Sequence, residues 1–140
     1  MEPLQQSLGF MLNVAARLMR RQLVQQLNGY GLTATQYVTL WCLWESGEDM
    51  PISQLSKKLF FDNPTMTGIV DRMVRDGYLE RIPNEEDRRV IKVRLTDKSL
   101  KLREKVIEFG TMIDQQSAQH LDKTTYDQLL QFLNRLSQST

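Results

Sequence analysis

Apolar residues recur every three or four positions along residues 4–27, with polar residues between them. This is the period of an amphipathic helix, so one long helix is predicted here. Residues 28–31 contain two glycines, which tolerate the left-handed conformation common at a helix C-terminus. Thr33 is followed by Gln36 in the spacing of a capping box. A second helix is therefore predicted to begin there and to end near Gly47.

Two shorter helices are predicted next, with a brief connector between them. The first covers residues 52–59, with Pro51 in its first turn. The second opens with Asn63 as N-cap and Pro64 at the first helical position, and it ends at Gly77. Two helices joined by a short turn form a helix-turn-helix.

The period then changes from helical to alternating. Residues 78–82 and residues 90–95 are predicted strands, and Ile91, Val93 and Leu95 share one face of the second. The segment between the strands is charged and too long for a tight hairpin turn. It is predicted to be a wing, that is, a polar loop held out by two strands.

Two further helices complete the pattern. Thr96 is placed to cap a fifth long helix that continues past Gly110, a residue that costs ~1 kcal/mol relative to alanine in a helix. Asp122 is placed to cap the last helix. The predicted fold is mainly α with a small β-wing: a winged helix-turn-helix core plus amino- and carboxy-terminal helices.

Composition and charge narrow the class of protein. A chain of 140 residues fits one domain, and 41% hydrophobic content is ordinary for a globular protein. Residues 51–95 carry 9 basic and 7 acidic side chains, so the middle of the chain is mildly basic. One cysteine, no visible signal peptide and no apolar run near the ~20 residues of a membrane span predict a cytoplasmic protein without membrane contact.

Five short segments, read in order, resemble the MarR (multiple antibiotic resistance regulator) family. They are residues 54–59, 63–67, 76–81, 87–89 and 95–98. The resemblance implies a single domain over residues 1–140, with dimerisation helices in 1–30 and 100–140 and the winged helix-turn-helix in 32–98. It also implies a homodimer on a pseudo-palindromic double-stranded operator, usually repressive and often relieved by a small aromatic ligand or by oxidation. One departure is Ser99, where the family usually has glycine.

The helix that begins at Pro64 is the candidate recognition helix, because the first turns of this element meet base edges in helix-turn-helix proteins. The candidate DNA-binding residues here are Asn63, Pro64, Thr65, Met66 and Thr67. Threonine can hydrogen-bond a base or a phosphate, whereas Met66 has the alternative of packing inward. Arg72, Arg75 and Lys57 are further candidates for contact with the DNA backbone.

The wing offers Arg88 and Arg89, which are both predicted to lie near DNA. An arginine is attracted into a narrow A·T-rich minor groove by its enhanced negative potential. The alternative is an internal pair with Asp87 that shapes the loop. The family pattern implies that Asp87 braces the wing, with Arg72 as a possible partner, while at least one arginine enters the groove.

An effector pocket is implied by the resemblance alone. Arg17 would supply a cation, and Tyr37, Trp41 and Trp44 would supply aromatic walls. The alternative is that the tryptophans simply fill the core.

Two alternative functions remain open: a redox-responsive regulator and a protein-interaction module. Cys42 could act as a redox switch, although it sits in mid-helix and is not near the amino terminus, where sensing cysteines of this family commonly lie. A winged helix that recruits a protein partner without DNA is the other alternative, and a basic wing argues against it. No catalytic motif, zinc-ligand set around His120 or cofactor site is found, so neither an enzyme nor a metalloprotein is predicted.

Overall fold

The computed structural model describes residues 1–138 and contains seven α-helices and a small sheet in that range. The helices are α1 Leu8–Leu27, α2 Ala34–Ser46, α3 Ile52–Leu59, α4 Asn63–Arg75, α5 Asp97–Val106, α6 Glu108–Ser117 and α7 Lys123–Gln138. The strands are β1 Met50–Pro51, β2 Leu79–Pro83 and β3 Ile91–Leu95. Short 3-10 turns cover Leu4–Gln6 and Asn28–Tyr30. None of the helices in the described range has the length and apolar character that a bilayer crossing requires.

The chain divides into two compact units. The central unit is Leu23–Glu108, and the terminal unit joins Met1–Gln22 with the described residues from Phe109 onward. The region predicted to bind DNA, residues 32–98, lies within the central unit.

Local capping signals set the start and end of α2. The Thr33 hydroxyl accepts the Gln36 backbone N–H at 3.1 Å, and the Gln36 side chain accepts the Thr33 N–H at 3.1 Å. Gly47 ends the helix in the left-handed conformation with φ 70°. The predicted capping box and stop are both confirmed.

The core of the central unit is built from α2, α3, α4 and the sheet. Tyr37, Leu40, Met66, Met73 and Val93 are all fully buried. The sheet has the order β1-β3-β2 with antiparallel pairing throughout, and Leu79 lies opposite Leu95. This arrangement holds α4 on one side of the wing strands and leaves the loop between β2 and β3 outside the core.

Two predicted helix boundaries were wrong in detail, and one strand was missed. The first long helix starts at Leu8, since residues 4–6 form a separate 3-10 turn. The long fifth helix is in fact two helices, α5 and α6, which separate at Ile107. Strand β1 had no prediction because it is only two residues long and exists through its pairing with β3.

Candidate DNA interface

The start of α4 is set by Asp62, whose carboxylate accepts the Thr65 backbone N–H at 2.7 Å. That hydrogen bond favours the ionised carboxylate and holds the Asp62 pKa below its usual value. The prediction that Asn63 is the N-cap was therefore wrong by one residue: Asn63 is the first helical residue, and Pro64 follows in the first turn. Both aspartate and asparagine cap well, so the sequence alone left the choice ambiguous.

The first turn of α4 presents Asn63, Pro64, Thr65 and Thr67 as exposed residues. Met66 differs, because it has no exposed surface at all. It lies on the same helix face as Ile69, Val70 and Met73, which are also buried. The prediction that Met66 contacts DNA is corrected: its side chain belongs to the core.

The later turns of α4 carry three exposed charged side chains. Arg72 and Arg75 are exposed, and the Arg75 Nε lies 3.1 Å from an oxygen of Asp76. Asp71 is paired with Arg81 of β2. This pair offsets a negative charge on the candidate recognition helix, and sequence reasoning missed it because the partners belong to different elements.

The wing loop is shaped by short-range hydrogen bonds. Asn84 Oδ1 accepts the Glu86 N–H at 3.1 Å, and the Val90 N–H donates to the Asp87 carbonyl at 3.0 Å. The Asp87 carboxylate accepts the backbone N–H of Arg89 at 3.0 Å and its Nε at 3.1 Å. These contacts lower the Asp87 pKa, the guanidinium contributing most.

Asp87 therefore has a structural partner, and it is Arg89, not Arg72 as the family pattern suggested. The Arg89 side chain is nonetheless 91% exposed and can exchange this partner for another anion. Arg88 is also exposed, and it makes no ion pair within residues 1–138. The two arginines, which the sequence left equivalent, are thus distinguished by their contacts.

The base of the wing is fastened to the start of α5 by a hydrogen-bond cluster around Tyr78. The Thr96 hydroxyl donates to the Gly77 carbonyl at 2.6 Å, and the buried Ser99 hydroxyl donates to the Tyr78 carbonyl. Lys98 places its Nζ 4.2 Å from the centre of the Tyr78 ring and donates to the Asp76 carbonyl at 2.8 Å. Ser99, the departure from the family pattern, therefore has a role that glycine could not fill.

A second fastening joins β3 to the turn after α2. Arg94 donates to both carboxylate oxygens of Asp49, with Nη2 at 2.7 Å and Nε at 3.0 Å. Paired donation of this kind is the strongest geometry for an arginine and a carboxylate. It lowers the pKa of Asp49 and raises that of Arg94. The partners are 45 positions apart, so no local sequence signal indicates that they pair.

The three aromatic residues predicted for the effector pocket have different surroundings in the central unit. Tyr37 is fully buried and its hydroxyl donates to the Ile107 carbonyl at 2.8 Å. The Trp44 indole donates to the Ser99 carbonyl at 3.2 Å, and its ring lines a cleft of about 490 Å³. Trp41 lines a different groove, beside Cys42. Arg17 is exposed on α1, in the part that belongs to the terminal unit.

Cys42 is half-buried in that second groove, which Lys58 also lines. Burial raises the thiol pKa, while the positive charge of Lys58 opposes the rise. A thiol with a raised pKa is mostly protonated at neutral pH and reacts slowly with oxidants.

A capped helix with an exposed first turn, a short helix before it and an antiparallel wing beside it together define a winged helix-turn-helix DNA-binding protein. The MarR family model matches residues 32–91. The organic hydroperoxide resistance transcriptional regulator of Bacillus subtilis is 32% identical over 111 residues, which cover 79% of this chain and 75% of that protein. The chain belongs to the MarR family, whose members are transcription regulators and not enzymes.

Solved structures agree with this assignment. A probable transcriptional regulator from Pseudomonas aeruginosa matches with 27% identity and a TM-score of 0.81, over 96% of this chain and 99% of that one. A mutant of MarR from E. coli, complexed with operator DNA, matches with 26% identity and a TM-score of 0.82, over 92% of each chain.

Proposed function

We propose that the protein is a homodimeric repressor that acts in the cytoplasm, binds a pseudo-palindromic operator and leaves it when a small aromatic ligand binds. The observation that carries the DNA-binding part is the exposed first turn of α4, with Thr65 and Thr67 outward and Met66 anchoring the turn in the core. Two such helices about one turn of DNA apart, ~34 Å, fit successive major grooves on one side of a duplex.

The first turn of α4 is suited to both phosphates and bases. Free backbone N–H groups at a helix N-terminus attract phosphate oxygens. Asn63 and the two threonine hydroxyls add donors and acceptors, and a threonine methyl can touch a thymine methyl. Since no arginine lies in this turn, the strongest reader of guanine is missing. Sequence preference is therefore expected to rest on apolar contacts and DNA shape as well.

Cations around this turn supply the sequence-independent affinity. Lys57, Arg72 and Arg75 are exposed and suited to phosphate contact. In the wing, Arg88 is the better candidate for the minor groove because it has no ion-pair partner within residues 1–138, whereas Arg89 holds Asp87. Asp87 keeps its predicted role as the brace of the wing.

The test is selection of bound fragments from genomic DNA, followed by binding measurements over a salt series. Affinity for the selected operator should fall steeply with salt, because bound cations release counterions from DNA. Arg88→Ala should weaken binding and reduce the salt slope by about one. Lys101→Ala, an exposed change on α5, is the control. Indifference to salt, or equal effects of the two variants, would remove the roles assigned to the wing.

Recognition by the first turn of α4 needs a separate measurement. Thr67→Ala should lower the ratio of operator affinity to nonspecific affinity, by a factor that corresponds to about 1–3 kcal/mol if a base contact is lost. Thr124→Ala, on an exposed site of α7, should leave this ratio unchanged. If Thr67→Ala lowers the affinity for operator and for nonspecific DNA by the same factor, Thr67 contacts the DNA backbone and not a base.

Oxidant sensing is the second candidate, favoured by the similarity to a regulator named for organic hydroperoxide resistance. Cys42 is the one cysteine of the chain, and its raised pKa opposes this role. We expect cumene hydroperoxide to leave operator affinity unchanged in both the wild type and Cys42→Ser. If the oxidant abolished operator binding in the wild type but not in Cys42→Ser, the protein would leave the operator through oxidation of Cys42 and not through a ligand.

A further inference from the structure

Helix α4 contains a glycine in its second turn, next to the exposed Thr67. Glycine is the poorest helix former after proline, so its presence in mid-helix needs a reason. Packing within residues 1–138 does not give one. Apart from the backbone of the helix itself, a β-carbon at Gly68 would meet one atom within 4 Å, Nη2 of Arg72 at 3.8 Å, which is an ordinary van der Waals contact. The core therefore leaves room for a larger residue at this position.

The guanidinium of Arg72 lies over this glycine. Residues four positions apart are neighbours on a helix surface, and helical side chains lean towards the helix N-terminus. Four residues of helix rise about 6 Å, so the guanidinium is carried back by roughly one turn, to the level of Gly68 and beside Thr67. A longer side chain at Gly68 would occupy the surface along which Arg72 extends.

The charged neighbours of Arg72 are already paired with other groups. Asp71 pairs with Arg81 of β2, and Arg75 pairs with Asp76. Arg72 itself makes no ion pair within residues 1–138. Arg72 and Arg75 are both exposed cations of the same helix, but only Arg72 keeps its guanidinium donors uncommitted in the described chain and directed towards the first turns.

We propose that Arg72 determines sequence specificity by reading a guanine in each half-site, and that Gly68 provides the path along which its side chain reaches the major groove. A guanidinium can donate to O6 and N7 of one guanine at the same time. The first turn of α4 holds no arginine, so this donor pair arrives from a later turn. The inference rests on the proposed function, in which the first turns of α4 enter the groove.

A phosphate contact by Arg72 is the outcome to be distinguished from base reading. A phosphate contact depends mainly on positive charge, whereas guanine reading needs the planar fork that lysine lacks. Arg72→Lys should therefore lower the ratio of operator affinity to nonspecific affinity by about fivefold or more, the lower range for one bidentate base contact. Its nonspecific affinity should stay unchanged, because the charge is kept. Arg75→Lys, the matched control on the same helix, should leave the ratio unchanged.

The base is identified with 7-deazaguanine, which lacks the N7 acceptor, placed at one guanine of the selected operator at a time. One such substitution in each half-site should weaken binding by the wild type and have no effect on Arg72→Lys. The proposal is overturned if Arg72→Lys keeps the wild-type ratio, or if no single guanine shows this dependence on Arg72. Wild-type protein that binds no selected duplex more tightly than random DNA would instead overturn the proposed function itself.

The role of Gly68 is tested in both backgrounds. Gly68→Leu introduces a better helix former, so the variant should unfold at no lower denaturant concentration than the wild type. In the presence of Arg72 it should lower the specificity ratio about as much as Arg72→Lys does, and in the Arg72→Lys background it should cause no further loss. Equal losses in the two backgrounds, or no loss in either, would overturn the path assigned to Gly68.

Discussion

The central and terminal units differ in where their apolar side chains lie. Among the described residues, every buried apolar side chain but one belongs to the central unit, and the exception is Ile113. Most of the large exposed apolar side chains belong to the terminal unit. Helix α7 illustrates this difference, because it has no buried residue, and Leu129, Phe132 and Leu136 are each 41–50% exposed along one face.

The difference indicates that the two units become stable in different ways. The central unit covers its own core, as an independently folding domain does. Helix α7 of the terminal unit exposes an apolar stripe, and exposed apolar faces on soluble proteins often mark an interface. A second copy of the chain is the partner that a homodimeric regulator supplies, so the terminal unit is expected to be completed by dimerisation.

The largest expected effect comes from charging this face. Leu129→Asp should dissociate the dimer and lower operator affinity by on the order of 10²–10⁴-fold, since the gain from two linked binding sites is lost. Light scattering and fluorescence anisotropy measure the two changes. Gln131→Asp, on the same helix, serves as the matched control. Dimers that persist with Leu129→Asp would show that α7 is not the interface.

The next effect tests the core of the central unit. Leu40→Ala removes a fully buried side chain and should cost about 2–5 kcal/mol of unfolding free energy. Chemical denaturation followed by circular dichroism measures this loss. Leu100→Ala, on a half-exposed residue of the same unit, should cost far less. Similar losses of unfolding free energy in the two variants would contradict the placement of Leu40 in the core and of Leu100 at the surface.

A smaller effect is expected at the start of α2. Thr33→Ala breaks both hydrogen bonds of the capping box and should cost about 1 kcal/mol. Denaturant titration of the variant and of Thr124→Ala, a threonine with no capping contact among those described, measures the difference. Equal stability of the two variants would show that the capping box contributes nothing measurable.

The smallest effect concerns how acidification changes the stabilising contribution of one aspartate in each unit. The folded-state pKa of Asp49 is lowered, chiefly by its hydrogen bond from Arg94, so its stabilising contribution is present above the unfolded value near 3.8 and is lost as pH falls through the lower folded value. Asp114 of the terminal unit has the opposite shift, because burial raises its pKa. Its charged form therefore destabilises the fold at neutral pH, and this penalty disappears as acid protonates it.

Denaturation curves from pH 7 down to about pH 3 test the direction of the pH dependence for both aspartates. Asp49→Asn should reduce the loss of stability on acidification. Asp114→Asn should be slightly more stable than the wild type at pH 7, and the difference should shrink towards pH 3. A reversed trend in either variant would contradict the contacts described for that carboxylate.

Features encoded within a few residues were predictable from the sequence. The capping box at Thr33, the end of α2 at Gly47, and the caps at Thr96 and Asp122 all depend on neighbours three or four positions away. The order of helices, strands and wing follows from periodicity in the same way.

Features that depend on distant residues were not predictable. Nothing local shows that Asp49 meets Arg94 or that Asp71 meets Arg81. Met66 is a different case, because it has the helical spacing of the buried Ile69 and Met73, a local signal that its place in the candidate recognition helix obscured.

The most direct test of the account varies the distance between the two halves of the selected operator. A dimer with two recognition helices one helical turn apart should bind best when half-site centres are about 10 base pairs apart. Insertion of about 5 base pairs rotates one half-site to the opposite side of the duplex, and affinity should then fall by about 100-fold or more towards that of a single half-site. Affinity that does not change with spacing would contradict the proposal that two copies of the chain place their recognition helices about one helical turn apart.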